Sequence, residues 1–455
     1  MRRIPAGELG EESPMRAILL VPSLLVAACA LPLFPTRGLA ATPAAAFSLD
    51  EKIILVAATG FEKEDRDIAL WQGRVRAAVA ANQPAPGPYE RLGWAYMSKA
   101  RRTLDPGYYK LAEKTADAMD ARFGASDASL LLRGSVCHNL HRFADAEADA
   151  RQLVARRGIA FDYALLSDAL MEQGKLKESV DACQRMMALK PGVDAYSRAA
   201  NLRWLTGDLQ GAIVAMEAAV RAGSPLDATN TAWTLSRLSN YYLQDGRSHD
   251  ALRVAEAAEQ LVPDYPPALL AKGRAFLAMG QPGNAVGPIG RAERLNPLPE
   301  YQWWLADTLR ATGDGAGAAR IESSLVAMGE AADPRTTSLF LATRGTTPAE
   351  AKRLAVAETS NRADVLTKDA LAWALYSSGE FAAADTAIQA ALSEQTKDAR
   401  LFLHAGDIAL NRGRPDSARS YFEQAQRYCA TLTPSERELL DSRLREQGAA
   451  PPRSS

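Results

Sequence analysis

Between Ala160 and Val193, small and apolar residues recur every three or four positions in two runs. Tyr163, Leu166, Ser167 and Leu170 mark the first run. Leu176, Ser179, Cys183 and Met186 mark the second, with Gly174 between the runs and Pro191 after them. This is the period of one helix face rather than of a strand. It predicts two short helices over Tyr163–Glu172 and Lys177–Leu189, joined by a tight turn. A single hairpin of this size cannot bury its own apolar face, so it needs neighbours built the same way.

The chain supplies them. Punctuating glycines recur at Gly174, Gly207, Gly246, Gly280, Gly313, Gly379 and Gly413, a spacing of about 34 residues. Each is followed five positions on by a small residue and then by an apolar one, as with Gly246, Ala251 and Ala255, or Gly413, Ala418 and Phe422. The pattern resembles the tetratricopeptide repeat, a helix-turn-helix unit with small residues at its helix crossing and a closing proline. That resemblance implies an all-α solenoid, a right-handed superhelix of stacked antiparallel helix pairs whose first helices line a concave face. Members of the family commonly hold an extended peptide or a partner's terminal segment there.

Taken in order, the pattern divides the chain into residues 1–46 as a leader and linker, 47–84 as N-terminal capping helices, and 85–432 as an array of about nine or ten units. A degenerate unit spans 333–361, and 433–455 forms a C-terminal capping helix and flexible tail. Two insertions are expected at hairpin tips or joints, Arg101–Tyr108 and Asp227–Thr231. Small residues at Ala212, Ala251 and Ala285 are expected at close helix crossings, as are Gly134, Gly273 and Gly406 inside first helices, where each sacrifices about 1 kcal/mol of helix propensity.

Composition adds two exclusions. Acidic and basic residues nearly cancel, with a formal charge of -1, so no field favours nucleic acid or a polybasic membrane contact. The four cysteines, Cys29, Cys137, Cys183 and Cys429, show no paired spacing, which gives no disulfide framework.

The stretch Ala17–Phe34 is apolar, preceded by Met15 and Arg16. Three readings stay open: a secretory signal cut near Ala40 or Ala46, a lipoprotein signal in which Val26-Ala27-Ala28-Cys29 makes Cys29 the lipidated residue, and an uncleaved anchor. All three place the repeats outside the cytoplasm, in the periplasm, secreted, or lipid-anchored to the envelope. Membrane contact is expected only through this leader or its lipid.

Projecting the family's inner register onto this chain picks out Arg198, Asn201, Arg237, Asn240 and Arg274 from three successive units, with Trp303, Trp304 and Asp307 in the next. Asn can pair with a peptide backbone and Arg can hold a carboxylate through two parallel bonds, so these eight residues are the candidate ligand-binding set. The Lys-rich pattern of a terminal-carboxylate clamp is missing.

Other chemistry is thin. Cys137-His138-Asn139-Leu140-His141 has no nearby acidic ligand and falls at a helix end, so no metal site is expected. Gly313-Asp314-Gly315-Ala316-Gly317 lacks the strand that a phosphate loop requires and coincides with an inter-helix turn. No nucleophile is placed with a base, and no catalytic residue or cofactor is expected. The sequence therefore points to a noncatalytic interaction scaffold of the cell envelope or secreted space that binds a protein or peptide in its groove. The alternative is an accessory subunit of an export, polysaccharide or enzyme assembly, docking through its outer face or caps.

Overall fold

A computed structural model describes residues 47–103 and 105–447. The leader expectations, including Cys29, and the tail after residue 447 lie outside these residues. Among the described residues every regular element is helical. Two helices open the fold, α1 (Leu49–Ile54) and α2 (Lys63–Ala80). Ten helix pairs follow: α3 (Pro86–Thr103) with α4 (Gly107–Phe123), α5 (Asp127–Asn139) with α6 (Phe143–Arg156), and α7 (Ala160–Glu172) with α8 (Leu176–Leu189). Next come α9 (Val193–Leu205) with α10 (Leu209–Ala222), α11 (Ala228–Gln244) with α12 (Ser248–Leu261), and α13 (Pro266–Ala278) with α14 (Pro282–Leu295). The last four are α15 (Pro299–Ala311) with α16 (Gly315–Ala332), α17 (Pro334–Arg344) with α18 (Pro348–Glu358), α19 (Val365–Ser377) with α20 (Phe381–Leu392), and α21 (Ala399–Asn411) with α22 (Pro415–Arg427). A final helix, α23 (Pro434–Glu446), closes the array.

Among the described residues neither insertion projects as a long loop. The first is absorbed into longer helices, since α3 runs to Thr103 and α4 starts at Gly107. The second becomes a single 3-10 turn, Pro225–Asp227, and an extra turn at the start of α11. The weak segment 333–361 is a helix pair like the others but the shortest, with 11 residues in each helix. Asp333 alone separates α16 from α17, and its carboxylate caps α17 through the Thr336 amide.

Each pair crosses at a small residue on its first helix. Where that residue is serine, its hydroxyl bonds a carbonyl on the second helix: Ser167 to Ser179 at 3.0 Å, Ser239 to Ala251 at 2.9 Å and Ser338 to Ala351 at 2.7 Å. Where it is glycine the approach is tighter still. A Cβ at Gly273 would lie 2.2 Å from Ile289 Cγ1, and one at Gly406 would lie 2.3 Å from Phe422 Cε1. Ala212, Ala251 and Ala285 face these crossings fully buried.

Beyond stacking in sequence, the array meets itself. The loops that follow α18 and α20 dock on the ends of α7 and α9. Ala363 N donates to Glu172 O at 3.0 Å, and the Thr396 hydroxyl donates to Leu205 O. Trp204 Nε1 donates to Lys397 O at 3.2 Å, and Arg437 Nη1 to Leu277 O at 3.1 Å. An apolar cluster is shared across this seam, joining Trp204, Leu205, Leu238 and Tyr241 with Val365, Leu375 and Leu401. The carbonyls left without intrahelical partners at first-helix ends are thus used as acceptors by units far along the chain.

Gly174 and Gly207 fit this seam for two separate reasons. Both have left-handed backbones, with φ of 70° and 87°. Both also lie flush against the opposing loop: an added Cβ would sit 2.3 Å from Ala363 O or 2.6 Å from Gln395 O. The turn glycine Gly246 has the same backbone sign and nothing within 4 Å.

Candidate functional site

The first helices turn their inner residues toward the middle of the molecule, where two adjoining cavities share Arg237 and Tyr241 in their walls. The outer cavity, about 380 Å³, is bounded by α5, α7, α9, α10 and α11. Asp168, Met171, Arg198, Asn201, Trp233 and Arg237 are among its lining residues. The inner cavity, about 330 Å³, is lined from α9, α11, α13 and α15 on one side and from α17, α19 and α21 on the other. Because of the seam, this inner space is ringed by helices rather than left as an open groove.

Of the eight candidate residues, six reach these walls. Arg198 is held by Asp168 through two bonds, 2.8 and 2.7 Å, and also donates to Asp194 O at 3.1 Å. Asn201 Nδ2 lies 3.0 Å from Met171 Sδ. Asn240 Oδ1 accepts from Arg274 Nη1 at 3.4 Å. Arg274 also pairs with Glu300 and lies 4.4 Å over the Trp304 ring. Trp304, although almost fully covered, contributes to the inner wall.

Arg237 differs from the other guanidiniums of the two cavities. Arg198, Arg274, Arg335 and Arg400 pair with Asp168, Glu300, Asp364 and Glu436 respectively. Among the described residues no carboxylate lies within ion-pair distance of Arg237, which rests 5.9 Å from the Tyr241 ring centroid. Burial pushes the Tyr241 phenol up, and the neighbouring Arg237 charge opposes that shift. An arginine without a carboxylate partner, set in a partly apolar wall, is the group of this site most available to an incoming acceptor.

The remaining two candidates are corrected by the geometry. Trp303, 2 % exposed, lies edge-on to Phe340 at 5.8 Å and under the Arg400 guanidinium at 4.8 Å. It packs between α17 and α21 and lines neither cavity. Asp307, 1 % exposed, pairs with Arg344 and accepts from the Ser435 amide and hydroxyl. Its register matches Asn201 and Asn240, but its carboxylate fastens α23.

Sequence reasoning missed Asp168, although it sits 33 positions before Asn201 in the same register. It also missed Trp233, which is 38 % exposed at the outer wall. Asp369, Asp398, Arg335 and Arg400 reach the inner wall only because the array closes on itself, and no local pattern signals that.

The weaker motifs have structural places. Asp314 caps α16 by accepting from the Gly317 amide at 2.7 Å. His141 stacks on Phe143 and faces Arg362 at the seam, while Cys137 Sγ accepts from Arg142. His404, solitary in the sequence, stacks 4.1 Å from Trp373 and meets Asp369 at 2.9 Å. Among the described residues no three His, Cys, Asp or Glu side chains converge as a metal site, and no helix is long and apolar enough to cross a membrane.

The fold and its inner site define an all-α solenoid of stacked helix pairs. A tetratricopeptide-repeat family model matches residues 236–297, 270–334 and 370–433. Residues 236–334 and 370–433 therefore carry tetratricopeptide repeats, within an all-α solenoid of stacked helix pairs. No curated protein matches the sequence. Similar solved structures include a human IFIT1 dimer with m7Gppp-AAAA, at 13% identity and a TM-score of 0.46, covering 84% of this chain and 93% of that one. The Cut9-Hcn1 APC/C hetero-tetramer is similar at 13% identity and a TM-score of 0.35, covering 86% and 98%. A tetratricopeptide repeat protein from Parabacteroides merdae is similar at 18% identity and a TM-score of 0.32, covering 55% and 98%.

Proposed function

We propose that this protein is a noncatalytic scaffold of the cell envelope or secreted space that holds a short segment of a protein partner in the outer cavity. The observation that carries this reading is Arg237, a guanidinium with no carboxylate partner among the described residues, where two cavities meet beside the partly exposed Trp233. A volume of about 380 Å³ suits a few side chains rather than a folded domain. Arg and Trp are the residue types that most often dominate binding energy at interfaces. Asp168, Arg198 and Asn201 complete the wall with a fixed polar rim. The envelope location rests on the apolar stretch Ala17–Phe34 of the sequence.

Site-specific photocrosslinking tests this reading in cells producing the full chain. A benzophenone side chain in place of Trp233 is expected to capture one segment of one partner, and Arg237→Ala is expected to reduce that capture at least tenfold, the equivalent of about 1.4 kcal/mol. A benzophenone at Arg253, on the exposed face of α12, serves as the comparison. Partner adducts from position 253 with none from position 233 would transfer the binding role to the outer face and overturn the inner-site reading.

A further inference from the structure

Around the inner cavity, α9 to α21 contribute their first helices in sequence, and each is joined to the next by the stacked pairs between them. One contact closing that ring is of another kind. Where the loop 393–398 meets the end of α9, the residues are distant in sequence and the polar bonds run to main-chain carbonyls, from Thr396 to Leu205 and from Trp204 to Lys397. Groups at helix ends and in loops can exchange such bonds for water without disturbing the bonds inside each unit, and opening there also uncovers the apolar surface that Trp204 and Leu205 share with Val365, Leu375 and Leu401.

The shortest helix pair, α17 and α18, lies along the chain between α9 and the loop 393–398 that docks on it, and only Asp333 separates it from α16. A short pair beside a one-residue joint is where a backbone change would be absorbed. We propose that the seam is a clasp: it opens at the contact between Gly207 and Gln395, and in opening it admits bulky groups to an inner face that the closed ring shields. Resting on the segment-binding reading above, the clasp sets how much of a partner the inner face accepts. The closed ring leaves the outer cavity for a short segment, and the open ring extends the site along Arg237, Asn240 and Arg274.

The test uses the full chain and no partner, so the clasp and the binding reading fail separately. Asn240, on the inner wall, is replaced by cysteine, and loss of the unmodified thiol at position 240 is followed by peptide mass spectrometry with N-ethylmaleimide or a 2-kilodalton polyethylene glycol maleimide, a probe size of roughly the scale of a 20-residue segment. Gly207→Val wedges the seam. Gly246→Val is the control, because it imposes the same backbone strain where nothing lies within 4 Å. If only the open ring admits the large probe, Gly207→Val raises its rate about tenfold, the population change given by about 1.4 kcal/mol of overpacking. The N-ethylmaleimide rate moves less than about twofold, since a small probe needs no opening. The proposal is overturned if the large probe labels the parent protein as fast as the small one, or if Gly246→Val accelerates labelling as much as Gly207→Val.

Discussion

The backbone amide of Ala363 donates to the carbonyl of Glu172 at 3.0 Å, tying the loop after α18 to the end of α7. The same two residues flank Arg362, whose guanidinium meets Glu172 at 3.3 Å and Glu358 at 3.4 Å. A bond of this kind turns a linear stack into a closed one. In an open solenoid each unit touches only its neighbours and stability is a sum of local terms. Here α7 and α9 also depend on loops more than five units later, so changes at the seam should be felt in both halves.

The seam glycines give the most direct test of that coupling. Gly246→Ala should cost about 1 to 2 kcal/mol, the penalty of a left-handed backbone for a residue with a Cβ. Gly207→Ala carries the same penalty, and its Cβ would also press on Gln395 O. It is expected to lose about 1 to 3 kcal/mol more through overpacking. Denaturant unfolding of the two variants checks the difference, and equal losses would mean that the seam contributes nothing to stability.

Helix crossings should respond to size in the same way. Ala251 is fully buried, and its carbonyl accepts from Ser239, so Ala251→Leu is expected to cost about 1 to 3 kcal/mol. Ala257, exposed on the same helix, is the comparison, and Ala257→Leu should fall within about 0.5 kcal/mol of the parent. A thermal melt separates the two. No loss for Ala251→Leu would mean that the crossing can spread at little cost.

Asp307 should act on α23 rather than on any ligand. Removing it leaves Arg344 with the Glu322 carboxylate and the Ser435 hydroxyl, and strips Ser435 of its carboxylate acceptor. Breaking a buried pair on one side costs about 3 to 5 kcal/mol, and the remaining Glu322 places Asp307→Ala near the lower end. Hydrogen exchange should then rise across Pro434–Glu446 with little change in α5 to α8. Exchange that rises uniformly would indicate loss of the whole fold instead of a released cap.

The helix pairs were legible because each repeats a small residue, a turn glycine and an apolar face at fixed spacing, so every unit reports the others. The weak unit at α17 and α18 was also visible, since Ser338 and Ala351 keep the crossing even where the helices shorten. The seam was not legible, because most of its acceptors are backbone carbonyls, which every residue type carries. Gly174 and Gly207 look like the other turn glycines in the sequence, and only the opposing loops distinguish them. At the site, the register located Arg198, Arg237 and Asn240 on the cavity walls. It failed at Trp303 and Asp307, where the later helices α17, α21 and α23 cover positions that would face inward in an open array.

The seam should also weaken on acidification through one imidazole. Burial and the Arg362 charge hold His141 at about 4, below its ordinary 6.5. Its neutral Nε2 accepts from Arg362 Nη2 at 2.9 Å. His138 and Arg335 add to the downward shift, and Asp333 opposes it. The folded protein thus binds fewer protons here than the unfolded chain between these two values, so this contribution is full above pH 6.5 and is lost as the pH falls toward 4. Glu172 and Glu358, pushed up by burial, slope the other way, which makes the parent curve alone uninformative. His141→Asn removes the imidazole while suiting the left-handed backbone at this position, φ 59°. Between pH 7 and 4.5 the melting temperature of the parent is expected to fall further than that of His141→Asn, and parallel curves would show that the imidazole is not held neutral against Arg362.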